Sequence, residues 1–254
     1  MKKTAFMIVY NDADYVEQAI NSVKDWVDEM IIVEGAFQIT LDAGGQPRSD
    51  DGTCDILNKF RGPKVKVVHR NLQEHKDHYN VGYQYAVENG SDWAVLIDSD
   101  EVWQKKDRVF ADSWMKSSAA KEIRISETCF INDFKTWYPG TYPRIFRCEK
   151  GAKFVFDNEV RFSEGRGQHK LFEIPKAQVN VFHYGYVRRQ KRWKLKQDYM
   201  WEKDKNPGLK EYGLDENKYI IPSDIPIFEF KGNHPESMRS HPFHDLTAEE
   251  IIYG

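Results

Sequence analysis

Trp93-Ala94-Val95-Leu96-Ile97-Asp98-Ser99-Asp100-Glu101 decides how this chain is read. Five apolar residues in a row are too few to span a membrane and about right for a buried strand. The run halts at two carboxylates with one residue between them. Open α/β sheets bind ligands at the carboxyl ends of their strands. At such an end Asp98 and Asp100 repel each other and favour a divalent cation. A hard ion that also takes phosphate oxygens, Mg2+ or Mn2+, suits them.

Toward the N terminus the same pattern repeats. Ala5 to Tyr10 reads as a first buried strand ended by Asn11-Asp12, and Asp14 with Glu17 suggests a capping box. Val16, Ala19, Ile20, Val23 and Val27 form one helical stripe. Met30 to Val33 is a second strand, ending at Glu34-Gly35. Ser49-Asp50-Asp51-Gly52-Thr53 is a turn into a short helix carrying Cys54, Leu57 and Phe60. Val65 to Val68 is a third strand, and a helix from near Asp77 to Glu88 stops at Asn89-Gly90. Strands alternating with helices predict a parallel sheet. Neither G-x-G-x-x-G nor GxxxxGK[ST] occurs, so a bound diphosphate would need a metal at Asp98 and Asp100 to neutralise it.

Toward the C terminus the rhythm changes. A helix is expected over Val109 to Met115 and a strand over Glu122 to Ile125. Thr136 to Pro143 reads as an aromatic loop, followed by strands at Arg144 to Arg147, Phe154 to Val160 and Val179 to Phe182. The last ends at His183-Tyr184-Gly185. The expectation is a nucleotide-binding half over 1–104, an acceptor-side mixed α+β half over 105–200 and a packed tail over 201–254, in one continuous domain. Arg188 to Lys196 is strongly basic and reads either as a solvated helix face or as a wall for diphosphate or an anionic acceptor.

The 254 residues, 40% hydrophobic and 30% charged, are ordinary for a soluble globular protein. A net charge of -3 implies no global attraction to nucleic acid or to anionic membrane. No transmembrane segment is expected, though peripheral membrane contact stays open. Cys54, Cys129 and Cys148 show no CxxC spacing and read as reduced thiols of a cytoplasmic protein. Lys2-Lys3 before an apolar run suggests a signal peptide, but Asn11-Asp12 interrupt it and no cleavage site follows.

Asp98-Ser99-Asp100 has other readings. It is a pair of solvated turn carboxylates in the plainest case. An EF-hand loop fails, because Trp103 stands where glycine is needed and Val109 where glutamate is needed. The stretch Asp98 to Val102 also resembles the nucleophile motif of haloacid-dehalogenase-type phosphatases. Three strand-helix units precede Asp98, however, and no later strand ends in a suitable acidic pair.

Taken together, the strand into Asn11-Asp12, Val27 to Glu34, Ser49 to Thr53, Asn80-Val81-Gly82, Asp98 to Glu101, Pro143 to Arg147 and His183 to Tyr186 resemble a family 2 glycosyltransferase of the GT-A fold. Phe230 to Pro235 is similar to a tail found in part of that family. Glu34 replaces a usual aspartate, residues 36–48 look like an insertion, and Tyr79 stands where arginine is frequent.

The resemblance implies a Rossmann-type, mostly parallel sheet with helices on both faces, extended by the mixed half. It implies a metal-dependent inverting transfer of a sugar from a nucleotide diphosphate sugar, uridine being the commonest base, to a glycan or other hydroxyl acceptor. Asp100 and His183 would hold Mn2+ or Mg2+. Asp98 would meet the ribose or a metal-bound water, with Tyr10, Asn11, Asp12 and Glu34 on the nucleotide. A His-Glu pair of similar sequences falls on Asn158-Glu159, which makes Glu159 the expected base, with Asp157 as its rival. Trp137, Tyr138 and Tyr142 stack on the acceptor or merely anchor their loop. The other function classes are the phosphatase with Asp98 as nucleophile and a non-catalytic nucleotide-sugar-binding protein.

Overall fold

The computed structural model describes residues 1–156, 159–162, 171–176, 178–190, 192 and 226–254. These fall into two compact units, Met1–Ser126 with Thr141–Val181, and Glu127–Gly140 with Phe182–Gly254. The boundary expected at 200–201 lies outside the described residues.

The first unit is an α/β sheet. Strands β1 (Lys3–Val9), β2 (Glu29–Glu34), β3 (Val65–His69) and β4 (Trp93–Leu96) lie in the order β3-β2-β1-β4, all parallel. The connections carry α1 (Val16–Val23), α2 (Gln38–Asp42), α3 (Thr53–Phe60) and α4 (His75–Glu88). Beyond β4 the chain forms β5 (Glu101–Val102), α5 (Lys105–Ser117), β6 (Glu122–Ile131) and β7 (Thr136–Arg147). The last part of β7 adds antiparallel to β4, with Arg147 opposite Trp93. Then come β8 (Lys153–Phe156), β9 (Glu159–Arg161), β10 (Leu171–Glu173) and β11 (Asn180–Tyr186). β8 and β9 form a hairpin, and β10 pairs with β6.

Alternation along β1 explains why both faces carry helices. Ala5, Met7 and Val9 face one core, shared with Val16, Ala19, Ile20 and Val23 of α1, Leu57 of α3 and Met115 of α5. Phe6 faces the other, with Tyr79, Tyr83 and Ala86 of α4 and Phe154 of β8. Gly82 lets α4 sit close to the sheet, since a Cβ there would lie 2.6 Å from Phe6 Cβ. Asn80 fixes the β8 hairpin to α4, its amide donating to Phe154 O at 2.9 Å and its carbonyl accepting from Phe154 N at 2.8 Å.

In the second unit, β6 and β7 form a hairpin whose turn is held by Asp133 Oδ1, which accepts from Lys135 N and Thr136 N, both at 2.8 Å. β11 lies beside β6, and β12 (Phe228–Glu229) pairs with β7 at Trp137 and Thr136. Two short helices close the chain, α6 (Glu236–Arg239) and α7 (Ala248–Tyr253). His234 packs among Phe130, Phe134 and Phe230. Its Nε2 lies 2.8 Å from Phe134 O. A carbonyl can only accept, so Nε2 carries the proton and Nδ1 accepts from Tyr184 Oη at 2.9 Å. Burial lowers the His234 pKa to about 4 and pushes the Tyr184 phenol well above its usual value.

The expected elements of residues 1–98 appear, with differences at their edges. α1 begins at Val16 behind Tyr15, and no side-chain cap forms, so Asp14 and Glu17 are not its capping box. α5 starts four residues before the expected Val109, because Gln104 and Asp107 make a capping box there. Residues 136–143 are strand and not loop. Pro139, Gly140 and Pro143 point to a loop locally, but pairing with a neighbouring strand outweighs that preference.

Candidate active site

The sheet order reverses at β1, and the carboxyl ends of β1 and β4 flank the crevice where such sheets bind ligands. β1 runs out into Tyr10, Asn11 and Asp12, and β4 into Ile97 and Asp98. Ser99 Oγ donates to Asp12 Oδ2 in a short hydrogen bond. The structure therefore brings Asp12 against the turn that holds Asp98 and Asp100.

A clasp fixes the β1 end. Asn11 adopts a left-handed backbone, φ 54°, which asparagine tolerates better than most residues. Asn11 N donates to Ser49 Oγ at 2.7 Å, and Asp50 N donates back to Asn11 Oδ1 at 2.8 Å. Asp12 N donates to Thr53 Oγ1 at 2.7 Å and Ala13 N to Asp51 Oδ2 at 3.0 Å. Asp51 Oδ1 in turn accepts from Thr53 Oγ1 at 2.6 Å. Every residue of the Ser49 to Thr53 turn except Gly52 thus bonds to the β1 end through a side chain or amide.

The turn after β4 is held by two residues that stand in the matching motifs without a predicted site role, Glu101 and Arg144. Glu101 is wholly buried and Arg144 is 3% exposed. Arg144 Nε donates to Glu101 Oε1 at 2.7 Å, and its Nη2 lies 2.8 Å from Asp98 Oδ2. Glu101 Oε2 accepts from Asp98 N at 3.3 Å. Asp98 is thus partly neutralised by a guanidinium, while Asp100, 5% exposed, sits two residues on in the same turn.

Glu34 has both oxygens engaged within the protein. Oε1 accepts from Ser49 N at 2.7 Å and Oε2 lies 2.6 Å from His69 Nδ1. Arg48 and Arg61 each place an Nη2 at 3.0 and 2.9 Å from His69 Nε2. Guanidinium groups only donate, so Nε2 is the acceptor and Nδ1–H points at Glu34. Tyr10 Oη donates to Gln46 O at 2.8 Å. An open groove of about 550 Å³ is lined by Gln46, Pro47, Arg48, Ser49 and Asp50.

The remaining expected residues stand on other elements. Glu159 opens β9 opposite Phe156, and Asp157 and Asn158 lie outside the described residues. Trp137, Tyr138 and Tyr142 do not share one loop, because all three stand on β7. Trp137 packs on Phe228 at 5.3 Å and Tyr138 is buried near Tyr186. Tyr142 lies under Arg144, 5.2 Å from its guanidinium carbon. His183 is inside β11 and not at its end, with Nδ1 3.5 Å from Glu127 Oε2. Arg188 is buried and donates to Gly185 O at 2.9 Å, and Arg189 lies over Phe243. Of the basic stretch, 191 and 193–196 lie outside the described residues.

Over 192 residues, 72% of its length, the chain is 25% identical to the SPbeta prophage-derived glycosyltransferase SunS of Bacillus subtilis (strain 168). The glycosyltransferase SunS of Bacillus phage SPbeta matches equally. This chain is a sequence relative of glycosyltransferases. It spans 39% of the length of those two proteins. No family model matches. Among solved structures, S. aureus TarS 1-349 gives a TM-score of 0.48 at 15% identity, covering 72% of this chain and 60% of that one. The complex of TarS 1-349 with UDP-GlcNAc gives 0.40 at 19% identity, over 51% and 35%. The glucosyl-3-phosphoglycerate synthase of Mycobacterium tuberculosis, in complex with Mn2+, UDP and glucosyl-3-phosphoglycerate, gives 0.34 at 15%, over 51% and 44%. Among the described residues no helix is long and apolar enough to cross a membrane.

Proposed function

We propose that this chain is a metal-dependent inverting glycosyltransferase that moves a sugar from a nucleotide diphosphate sugar, first of all a UDP-sugar, to an acceptor hydroxyl. The observation that carries the reading is the joining of Asp12 to the Asp98-Ser99-Asp100 turn at the carboxyl ends of β1 and β4.

The donor set suits Mg2+ or Mn2+. Such ions are bound through one or two carboxylates plus substrate phosphates, with no need for an all-protein cage. Asp100 supplies the first carboxylate, and Arg144 leaves Asp98 with one oxygen already paired. A bound divalent cation supplies charge neutralisation to the leaving diphosphate. Tyr10, Asn11, Asp12 and Asp98 bind the nucleotide. Glu34 acts by holding Ser49 and His69 in place, beside the groove at residues 46–50. Glu159 accepts the proton of the acceptor hydroxyl on the face opposite the diphosphate, as inversion requires. His183 belongs to the second unit.

The test is product release from a panel of nucleotide sugars with Mn2+ and a hydroxyl acceptor. A transferase releases nucleoside diphosphate. The phosphatase reading, with Asp98 as nucleophile, requires inorganic phosphate from simple esters, and the relatives do not favour it. A non-catalytic binder releases neither.

A further inference from the structure

We propose that Glu127, Cys129 and His183 form a binding site for a thiophilic divalent cation, Zn2+, within the second unit. Glu127 and Cys129 are two apart on β6, so their side chains leave the same face. β11 is the neighbour of β6 and carries His183 to the same point. One ligand atom from each of the three lies within 4.8 Å of the others.

The oxygen–nitrogen spacing fits an ion, and the oxygen–sulfur spacing is a few tenths of an ångström longer than a tetrahedral zinc would set. Glu127 Oε2 is 3.5 Å from His183 Nδ1 and 3.8 Å from Cys129 Sγ. Ligands at about 2.0 Å (oxygen, nitrogen) and about 2.3 Å (sulfur) from a tetrahedral zinc stand roughly 3.3–3.6 Å apart. An N–H···O bond is shorter, about 2.9 Å. Glu127 and Cys129 have no exposed surface, so an ion there would be held away from solvent on that side.

The donor chemistry names the ion. Thiolate, imidazole and carboxylate together select zinc over magnesium or manganese, and three protein ligands leave a fourth position open. On binding, the Cys129 thiol gives its proton to solvent and its sulfur pair to the metal, Glu127 enters as carboxylate and His183 as neutral imidazole. This goes beyond the sugar-transfer reading and does not depend on it.

The full chain, stripped with a chelator, is titrated with Zn2+ against a chromophoric competitor, and with Co2+ as a spectroscopic probe. One zinc per chain is expected. Cys129→Ser should weaken it at least about tenfold, since even the outer partners of metal ligands are worth about ten- to a hundredfold. In a Cys54→Ser/Cys148→Ser background Cys129 is the only thiol, and Co2+ should give a thiolate charge-transfer band without any change to the site itself. No stoichiometric zinc, no such band, or equal affinity in a folded Cys129→Ser variant overturns the proposal. Asp100→Asn should keep its zinc, so failure of manganese-dependent nucleotide binding remains a separate result.

Discussion

Arg144→Met should be among the most damaging substitutions in the first unit. Arg144 is 3% exposed and Glu101 not at all, and the guanidinium is the partner of Glu101 Oε1 at 2.7 Å. Methionine fills much of the same space but takes away the guanidinium paired with the buried Glu101 carboxylate. Breaking a buried pair by removing one partner costs about 3–5 kcal/mol. The Asp98 contact adds little, because that side chain is 25% exposed and such pairs are worth at most about 1 kcal/mol. Total stabilities are only about 5–15 kcal/mol, so the loss is a large share. For a chain of this size it lowers the melting temperature by roughly 6–20 °C. Urea unfolding of the parent, Arg144→Met, Glu101→Gln and the double variant gives the coupling. The double variant should recover much of the loss, since neither charge of that pair remains. A single-variant loss under about 1 kcal/mol, or a double variant no better than Arg144→Met, would refute this reasoning.

Asp100→Asn should abolish the manganese-dependent part of the thermal stabilisation by UDP, and equal stabilisation in chelator would remove Asp100 from metal binding. Glu159→Gln should lower turnover by about a hundred- to ten-thousandfold while nucleotide affinity holds. Normal turnover with lowered thermal stability would make Glu159 a structural carboxylate. His234 gives a pH signature. Its folded pKa is lowered from 6.5 to about 4, so the unfolded chain binds a proton that the folded chain refuses. Stability from this group is complete above pH 6.5 and drains away as pH falls toward 4, by up to about 3 kcal/mol. The difference in unfolding free energy between the parent and His234→Phe should change over that window, and a constant difference would reassign the acid sensitivity.

The first sheet was legible because its strands are apolar runs that end abruptly in polar residues. Asp98, Asp12 and Asn11 could be placed at strand ends from those breaks alone. What holds them was not legible. The Arg144–Glu101 pair joins residues 43 apart, and nothing in either neighbourhood announces the partner. Glu34 illustrates the opposite error. A strand-end carboxylate looks available for a ligand, yet its oxygens are taken by Ser49 N and His69 Nδ1, contacts that depend on how the loop folds back. Residues 136–143 misled because proline and glycine are read locally, whereas β7 is made by its neighbours. Glu127 and Cys129 show period-two spacing on β6, a signal that carries meaning only when β11 is known to lie alongside.

The segment between Gly35 and the clasp closes on itself. Ala36 N donates to Pro47 O at 3.2 Å, and Ser49 is tied to both Glu34 and Asn11. Both ends of the loop are therefore anchored, and inside it Phe37 and Gln38 are tied to Leu72 while residues 39–45 form the part that can vary. Closure entropy rises slowly with length, so doubling this loop would cost only about 0.6 kcal/mol. The chain thus carries a replaceable cassette beside the carboxyl ends of β1 and β2. Drift or grafting there can recast the rim of the groove at residues 46–50 while Asn11 and Asp12 keep their positions.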